Sequence, residues 1–183
     1  MVSVPVMNSE QPIAVIVMGV TGSGKTTVGK RLAAKKGCAF FDGDDFHPAA
    51  NVEKMRRGTA LNDDDRAPWL DRLREVIANQ LASGHSLVLA CSALRETYRA
   101  RLMPANAVVA GRVVFVYLRI APETARNRLL GRGDHFMPPT LIPSQFESLE
   151  DPESAIRVDA EAPVEDVVEC IARQLADTDA GSL

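Results

Sequence analysis

Short, nearly unbroken apolar runs alternate along this chain with longer stretches in which apolar residues return every three or four positions. The short runs are Ile13–Met18 (IAVIVM), Cys38–Phe41 (CAFF), Ser86–Cys91 (SLVLAC), Val113–Leu118 (VVFVYL) and Ile156–Val158 (IRV). The first four have few or no alternating polar positions, the pattern of strands buried on both faces of a parallel sheet. Of the helical stretches, the clearest runs from about Arg66 to Ser83. Trp69, Leu70, Leu73, Val76, Ile77 and Leu81 share one stripe there, with Asp65 placed to cap the start and Gly84 the end. Another begins near Pro163 and carries Val164, Val167, Val168, Ile171 and Leu175 on one face. A third follows Pro122, has Glu123 in its first turn, and stops near Gly131 and Gly133. This alternation predicts an α/β fold, a doubly wound parallel sheet of five strands with helices on both faces.

Residues 1–12, with Pro5 and Pro12, and residues 177–183 read as tails around one domain over residues 13–176. No repeat or low-complexity linker divides it, and 183 residues suit a single domain. With 46% apolar and 25% charged residues, a packed core is expected. A net charge of −3 and the lack of a Lys/Arg run argue against nucleic acid as a partner. No stretch has the length and apolarity of a membrane span or a signal peptide. Cys38, Cys91 and Cys170 are odd in number and far apart, which fits a reducing cytoplasm.

The first apolar run leads into GVTGSGKT, Gly19–Thr26, a match to G-x-x-x-x-G-K-[ST] followed by a helical stretch that ends at Gly37. Glycines let the backbone curl around phosphates with its amides pointing inward, and the helix N-terminus adds partial positive charge. Gly19, Val20, Thr21, Gly22, Ser23, Gly24, Lys25, Thr26 and Thr27 are therefore the expected ATP cradle. Lys25 reaches the β- and γ-phosphates and the Thr26 hydroxyl ligates Mg²⁺. A GTPase would carry NKxD and DxxG motifs, and neither is present. A motor or AAA-type ATPase would show an acid pair closing a hydrophobic strand, whereas SLVLAC ends in Cys91–Ser92. A small P-loop protein of this kind is most often a small-molecule kinase.

Ligands of open α/β sheets bind beyond the C-terminal strand ends. Asp42 and Asp44, in FFDGDDFHP, lie just past the second strand on that edge. One such carboxylate can hold a water of the Mg²⁺ shell and another can take the proton of an attacking hydroxyl. Asp42 is assigned the first role and Asp44 the second; Asp45 fits a turn. In LNDDDRAPWL, Arg66 is either an ion-pair partner of its acidic neighbours or a fork for a substrate carboxylate. In CSALRETYR, Ser92 can bond a substrate hydroxyl. Arg95 and Arg99 share a helix face and fit either surface charge or an anionic acceptor. Arg128 and Arg132 precede a Gly- and Pro-rich stretch, about 131–149, which reads as a mobile lid able to close arginines over the phosphates.

Taken together, GVTGSGKTT, FDGDDFHPAANVEKMRRGTALNDDDRAPWL, CSALRETYR and HFMPPTLIPSQFESLE resemble the gluconokinase family, over about Ile13 to Leu175. The resemblance implies transfer of the γ-phosphoryl of ATP to the 6-hydroxyl of D-gluconate. It also implies a fold similar to shikimate kinase and nucleoside monophosphate kinases, and a homodimer. It places His47, Asn51, Lys54, Arg66, Ser92, Arg99 and His135 around the sugar acid, beside Asp42 and Asp44. Two positions depart from it: Ala60 stands where Pro is common, and Asp134 where Gly often precedes the His-Phe pair. The alternatives are a kinase for shikimate or another sugar acid, and an ATP-binding sensor without turnover.

Overall fold

The computed structural model describes residues 11–104, 112–131 and 139–180. Five strands, β1 (Ile13–Met18), β2 (Ala39–Asp42), β3 (Leu87–Ala90), β4 (Arg112–Arg119) and β5 (Ile156–Asp159), form one sheet in the order β2-β3-β1-β4-β5. Every pairing is parallel, and Ile16 stands in register with Leu89 on one side and Phe115 on the other. β1 is buried along its whole length, as its unbroken apolar sequence requires at the centre of a two-faced sheet.

The alternation of β1 splits the core in two. Val15 and Val17 face α1 (Lys25–Lys36) and α7 (Val164–Ala180). Ala14, Ile16 and Met18 face α3 (Asp63–Ala82) and α4 (Glu96–Leu102). Leu73 and Ile77 of α3 are fully buried, each side chain contributing about 1.5–3 kcal/mol. The apolar stripe expected for α7 is the observed one, with Val167, Val168, Ile171 and Leu175 buried. That helix continues to Ala180, past the point at which the sequence suggests a tail. Ion pairs Arg31–Glu165 and Lys35–Glu169 tie it to α1.

The long helix starts earlier than its apolar stripe. Asn62, not Asp65, is the N-cap: Asn62 Oδ1 accepts from the Asp65 amide and Asp65 Oδ2 accepts from the Asn62 amide, both at 2.8 Å. Polar residues of a first helical turn contribute caps rather than core contacts, so hydrophobic periodicity does not register them. The chain leaves β1 toward β2 and leaves β3 toward β4, in opposite directions across the sheet. Their adjacent C-terminal ends therefore form the crevice of a doubly wound fold. The Gly19 amide bonds the Ser92 carbonyl across it at 3.3 Å.

Candidate active site

The phosphate loop bridges β1 and α1. Gly24 is the N-cap of α1 in a left-handed conformation, and no side chain caps the helix, so its first amides are open to an anion. Gly22 has φ +81°, and a Cβ there would lie 2.4 Å from the Ala125 carbonyl oxygen, so only glycine fits between the loop and α5 (Pro122–Leu130). Lys25 Nζ donates to the Val20 carbonyl at 2.9 Å, which folds the lysine over the loop. The Ser23 hydroxyl is buried without a hydrogen-bond partner among the described residues. Such an orphan in a loop of this shape fits a ligand that completes it.

The Thr26 hydroxyl donates to Asp42 Oδ2 at 2.8 Å, joining the end of the loop to the end of β2. Among the described residues no group of three or more His, Cys, Asp or Glu could hold a metal by itself. One hydroxyl beside one carboxylate, next to a phosphate cradle, is the donor set that suits Mg²⁺, an ion that keeps its waters and takes its remaining ligands from phosphates.

Asp42 accepts the Asp44 amide at 3.2 Å and so caps the short turn Gly43–Phe46. Gly43 is needed there because a Cβ would stand 2.5 Å from the Ala90 carbonyl of β3. Trp69 Nε1 donates to the Gly43 carbonyl at 2.7 Å and fixes the turn from behind. Asp44 is consequently turned into the cleft that Lys25, Thr26 and Asp42 also line. Solvent reaches it, yet surrounding protein raises its pKa above the ordinary carboxylate value. Lys25 opposes that rise, while Asp42 and Asp45 add to it. The His47 ring stacks on Trp69, with centroids 4.1 Å apart and planes 13° from parallel. Its Nδ1 is buried without a partner among the described residues, and burial, then the nearby Arg66, lower its pKa to about 4. His47 is therefore neutral at pH 7.

Arg66 faces the same cleft; it forms no salt bridge with the acids flanking it in sequence among the described residues, although, after the Lys54 hydrogen bond, its charge helps to lower the Asp65 pKa. Its Nη1 donates to the Leu61 carbonyl and, at 3.3 Å, to the Tyr98 hydroxyl. Ser92 lines the cleft as expected. Arg128 does not. It lines an adjoining cavity with Ser23, Gly24, Thr27 and Pro163. Gly19 and Val20 lie behind the loop, Val20 within the core.

Three residues that the resemblance places around the sugar acid bond neighbouring protein groups and do not line the cleft. Asn51, on α2 (Ala49–Arg56), is buried and donates to the Asp65 carbonyl at 2.7 Å. Lys54 pairs with Asp65 at 2.5 Å. Arg99 Nη1 donates to the carbonyls of Ala93, Leu94 and Glu150, at 3.1–3.2 Å, and does not line the cleft. These residues bind the acceptor-side loops together. Arg95 pairs with Asp63 at 3.2 Å. Arg132, Asp134 and His135 lie outside the described residues.

Within the stretch expected to be a mobile lid, residues 139–148 carry regular secondary structure. Pro139–Leu141 forms a 3-10 turn leading into α6 (Ile142–Ser148), with Leu141 and Ile142 buried. This helix brings Ser144, Gln145 and Ser148 to the cleft, and Gln145 Oε1 accepts the Thr21 amide of the phosphate loop at 2.7 Å. Sequence reasoning missed these, as well as Trp69 and Tyr98. Pro and Gly suggest a loop, whereas Pro143 sits at the start of a helix, where proline is favoured.

A glycine cradle with a lysine and a hydroxyl, facing two strand-end carboxylates across a sheet crevice, defines a P-loop kinase for a small molecule. Residues 15–149 match the family described as an AAA domain, and the chain belongs to that P-loop family. The acid pair of a motor ATPase has no counterpart where β3 passes into Cys91–Ser92. Within it, the chain belongs to the gluconokinase family. It is 42% identical to the gluconokinase of Gluconobacter oxydans over 89% of this chain and 91% of that one. It is 43% identical to a probable gluconokinase of Xenopus tropicalis, over 84% and 88% of the two chains. A gluconokinase crystal structure from Sinorhizobium meliloti superposes with a TM-score of 0.77 at 36% identity, over 95% of this chain and 99% of that one.

Proposed function

We propose that this chain transfers the γ-phosphoryl group of ATP to the 6-hydroxyl of D-gluconate, giving 6-phosphogluconate and ADP, with Mg²⁺ bound at Thr26 and Asp42. The observation that carries this reading is that Asp44, Lys25, the Thr26–Asp42 pair and Arg66 line one cleft. A polyol with a carboxylate at one end and a reacting hydroxyl at the other requires a cation and a proton acceptor within one such space.

In this mechanism the loop amides and the α1 N-terminus hold the phosphates, with Lys25 meeting the charge on the transferred group. Bound Mg²⁺ supplies neutralisation of the phosphate oxygens and orientation of the donor. Asp44 accepts the proton of the 6-hydroxyl as its oxygen attacks; the raised pKa makes it a better base than an ordinary aspartate. Asp42 stays on the Thr26 side and fixes the turn that aims Asp44. Neutral His47 can bond hydroxyls without adding charge. Arg66 meets the carboxylate.

The test is ADP release from Mg·ATP against D-gluconate, other aldonates, shikimate, glucose and no acceptor. Release that depends on D-gluconate, with 6-phosphogluconate as product, is the expected result. Preference for a different acid moves the substrate but keeps the kinase. Bound ATP without acceptor-dependent release would leave a sensor.

A further inference from the structure

Tyr98 belongs to α4 and lines the cleft, and its side chain is almost fully buried. Charged groups surround it. Its hydroxyl donates to Asp63 Oδ1 and accepts from Arg66 Nη1 at 3.3 Å. The Arg66 guanidinium lies 5.4 Å from its ring centroid and the Arg95 guanidinium 5.7 Å. Arg95 Nη1 in turn bonds both oxygens of Asp63 at 3.2 and 3.3 Å. Burial, then the bond to Asp63, raises the pKa of Tyr98, so the phenol keeps its proton at neutral pH.

The two ends of this chain of contacts differ. At the outer end, the Asp63 carboxylate is matched by Arg95 and by the phenol proton. At the inner end, Arg66 is fixed through Nη1 alone, to Leu61 and Tyr98; among the described residues Nε and Nη2 have no partner. Arg66 lines the cleft that holds Asp44. Two acids stand near Arg66 and neither forms a salt bridge with it among the described residues: Asp63 is bonded by Arg95 and Tyr98, and Asp65, whose carboxylate feels the Arg66 charge, is bonded by Lys54.

We propose that Tyr98, Asp63 and Arg95 form a positioning device that presents one edge of Arg66, not engaged in a salt bridge, to the carboxylate of the acceptor and so selects acids over neutral polyols. This rests on the proposed kinase reading, but it concerns residues that the reading does not use. Tyr98 acts through Arg66: its hydroxyl sets the guanidinium plane, its ring supports one face, and its proton helps to occupy Asp63. Arg95 completes the occupation. Without it, Asp63 is free to close on Arg66 as an internal competitor of the substrate carboxylate.

The experiment compares wild type, Tyr98→Phe and Arg95→Gln in steady-state kinetics, varying D-gluconate and ATP separately, with sorbitol as the neutral acceptor. Phenylalanine keeps the buried ring, and thermal midpoints check that both variants are folded. The expected result is a rise of about tenfold in KM for D-gluconate in each, as follows from loosening a charged hydrogen bond. KM for ATP is unchanged, and the preference for D-gluconate over sorbitol falls by a similar factor. An unchanged KM for D-gluconate, or equal losses for both acceptors, overturns the proposal. Wild-type behaviour separates the two readings. If wild type prefers another carboxylic acid, the gluconate reading fails and the same comparison on that acid decides the positioning role. If wild type accepts only neutral acceptors, the positioning role falls.

Discussion

At the donor end of the cleft the groups that face the ligand are main-chain amides and the first residues of one helix, all from the unbroken stretch Gly19–Thr26. At the acceptor end they are side chains from the β2 turn, α3, the β3–α4 region and α6, far apart in sequence. The donor end is fixed by backbone conformation and close approach. The acceptor end is braced by bonds among its own residues: Trp69 under the turn, Asn51 and Lys54 on Asp65, Arg99 on three carbonyls. A local site tolerates change poorly at its glycines; an assembled one spreads its requirements over its scaffold.

The largest expected effect lies where the two ends meet. Asp44→Asn removes the proton acceptor and should lower kcat by about 10²–10⁴ while ATP still binds. In wild type, kcat/KM for D-gluconate should fall as pH drops through the Asp44 pKa, beginning above the range of an ordinary aspartate because that pKa is raised. The same shift acts on stability. Ionising Asp44 is harder in the folded protein than in the unfolded chain, so the cost is present above the folded pKa and disappears at lower pH. Asp44→Asn should therefore raise the thermal midpoint of the ligand-free protein at pH 7, and a lower midpoint would contradict a strained catalytic carboxylate.

Next is the donor loop itself. Gly22→Ala places a Cβ against the Ala125 carbonyl at a positive φ, so either the loop or α5 must move. ATP affinity should fall by tenfold or more, about 1.4 kcal/mol or greater, measured by nucleotide titration, with the larger share of the kinetic loss in KM for ATP. Equal losses in the two KM values would mean that the loop and the acceptor end move as one body, and the Gln145–Thr21 bond would be the link to examine.

A smaller effect separates contact from scaffold. Asn51→Ala leaves the Asp65 carbonyl without its buried donor and should lower stability by about 1–3 kcal/mol, read by denaturant unfolding. KM for D-gluconate should change little at temperatures where the variant is folded. A rise in KM without loss of stability would return Asn51 to the substrate, as the family resemblance places it.

This difference also governs what the sequence made legible. The five strands and the α1, α3, α5 and α7 helices follow from apolar runs and stripes, because buried faces dictate those patterns. The loop was read down to Lys25 and Thr26 because its function is carried by consecutive residues. Asp42 and Asp44 were placed on the right edge by topology alone. What escaped were residues whose role depends on tertiary neighbours. The bonds of Asn51, Lys54 and Arg99 to neighbouring protein groups are among these, because a motif records position and not the direction of a side chain. Tyr98 was passed over because an aromatic within a charged helix looks like packing. Gln145 was obscured by the prolines around α6.

The smallest expected effect is a pH dependence that should be missing. An ordinary histidine in the acceptor cleft would give kcat/KM for D-gluconate an inflection near 6.5. His47 is pressed against Trp69 beside Arg66, and its pKa falls to about 4, so it stays neutral throughout the range in which the enzyme is assayed. The inflection near 6.5 should be absent. The cost appears in stability instead. The unfolded chain binds the proton near pH 6.5 while the folded protein refuses it down to about 4, so folding weakens as pH falls across that window. His47→Gln cannot titrate, and its thermal midpoint should decline less between pH 6.5 and 4.5 than that of wild type. Parallel declines would mean that His47 titrates in the folded protein as in the unfolded chain, and a second cation beside Arg66 would then have to be counted at the acceptor end below about pH 6.5.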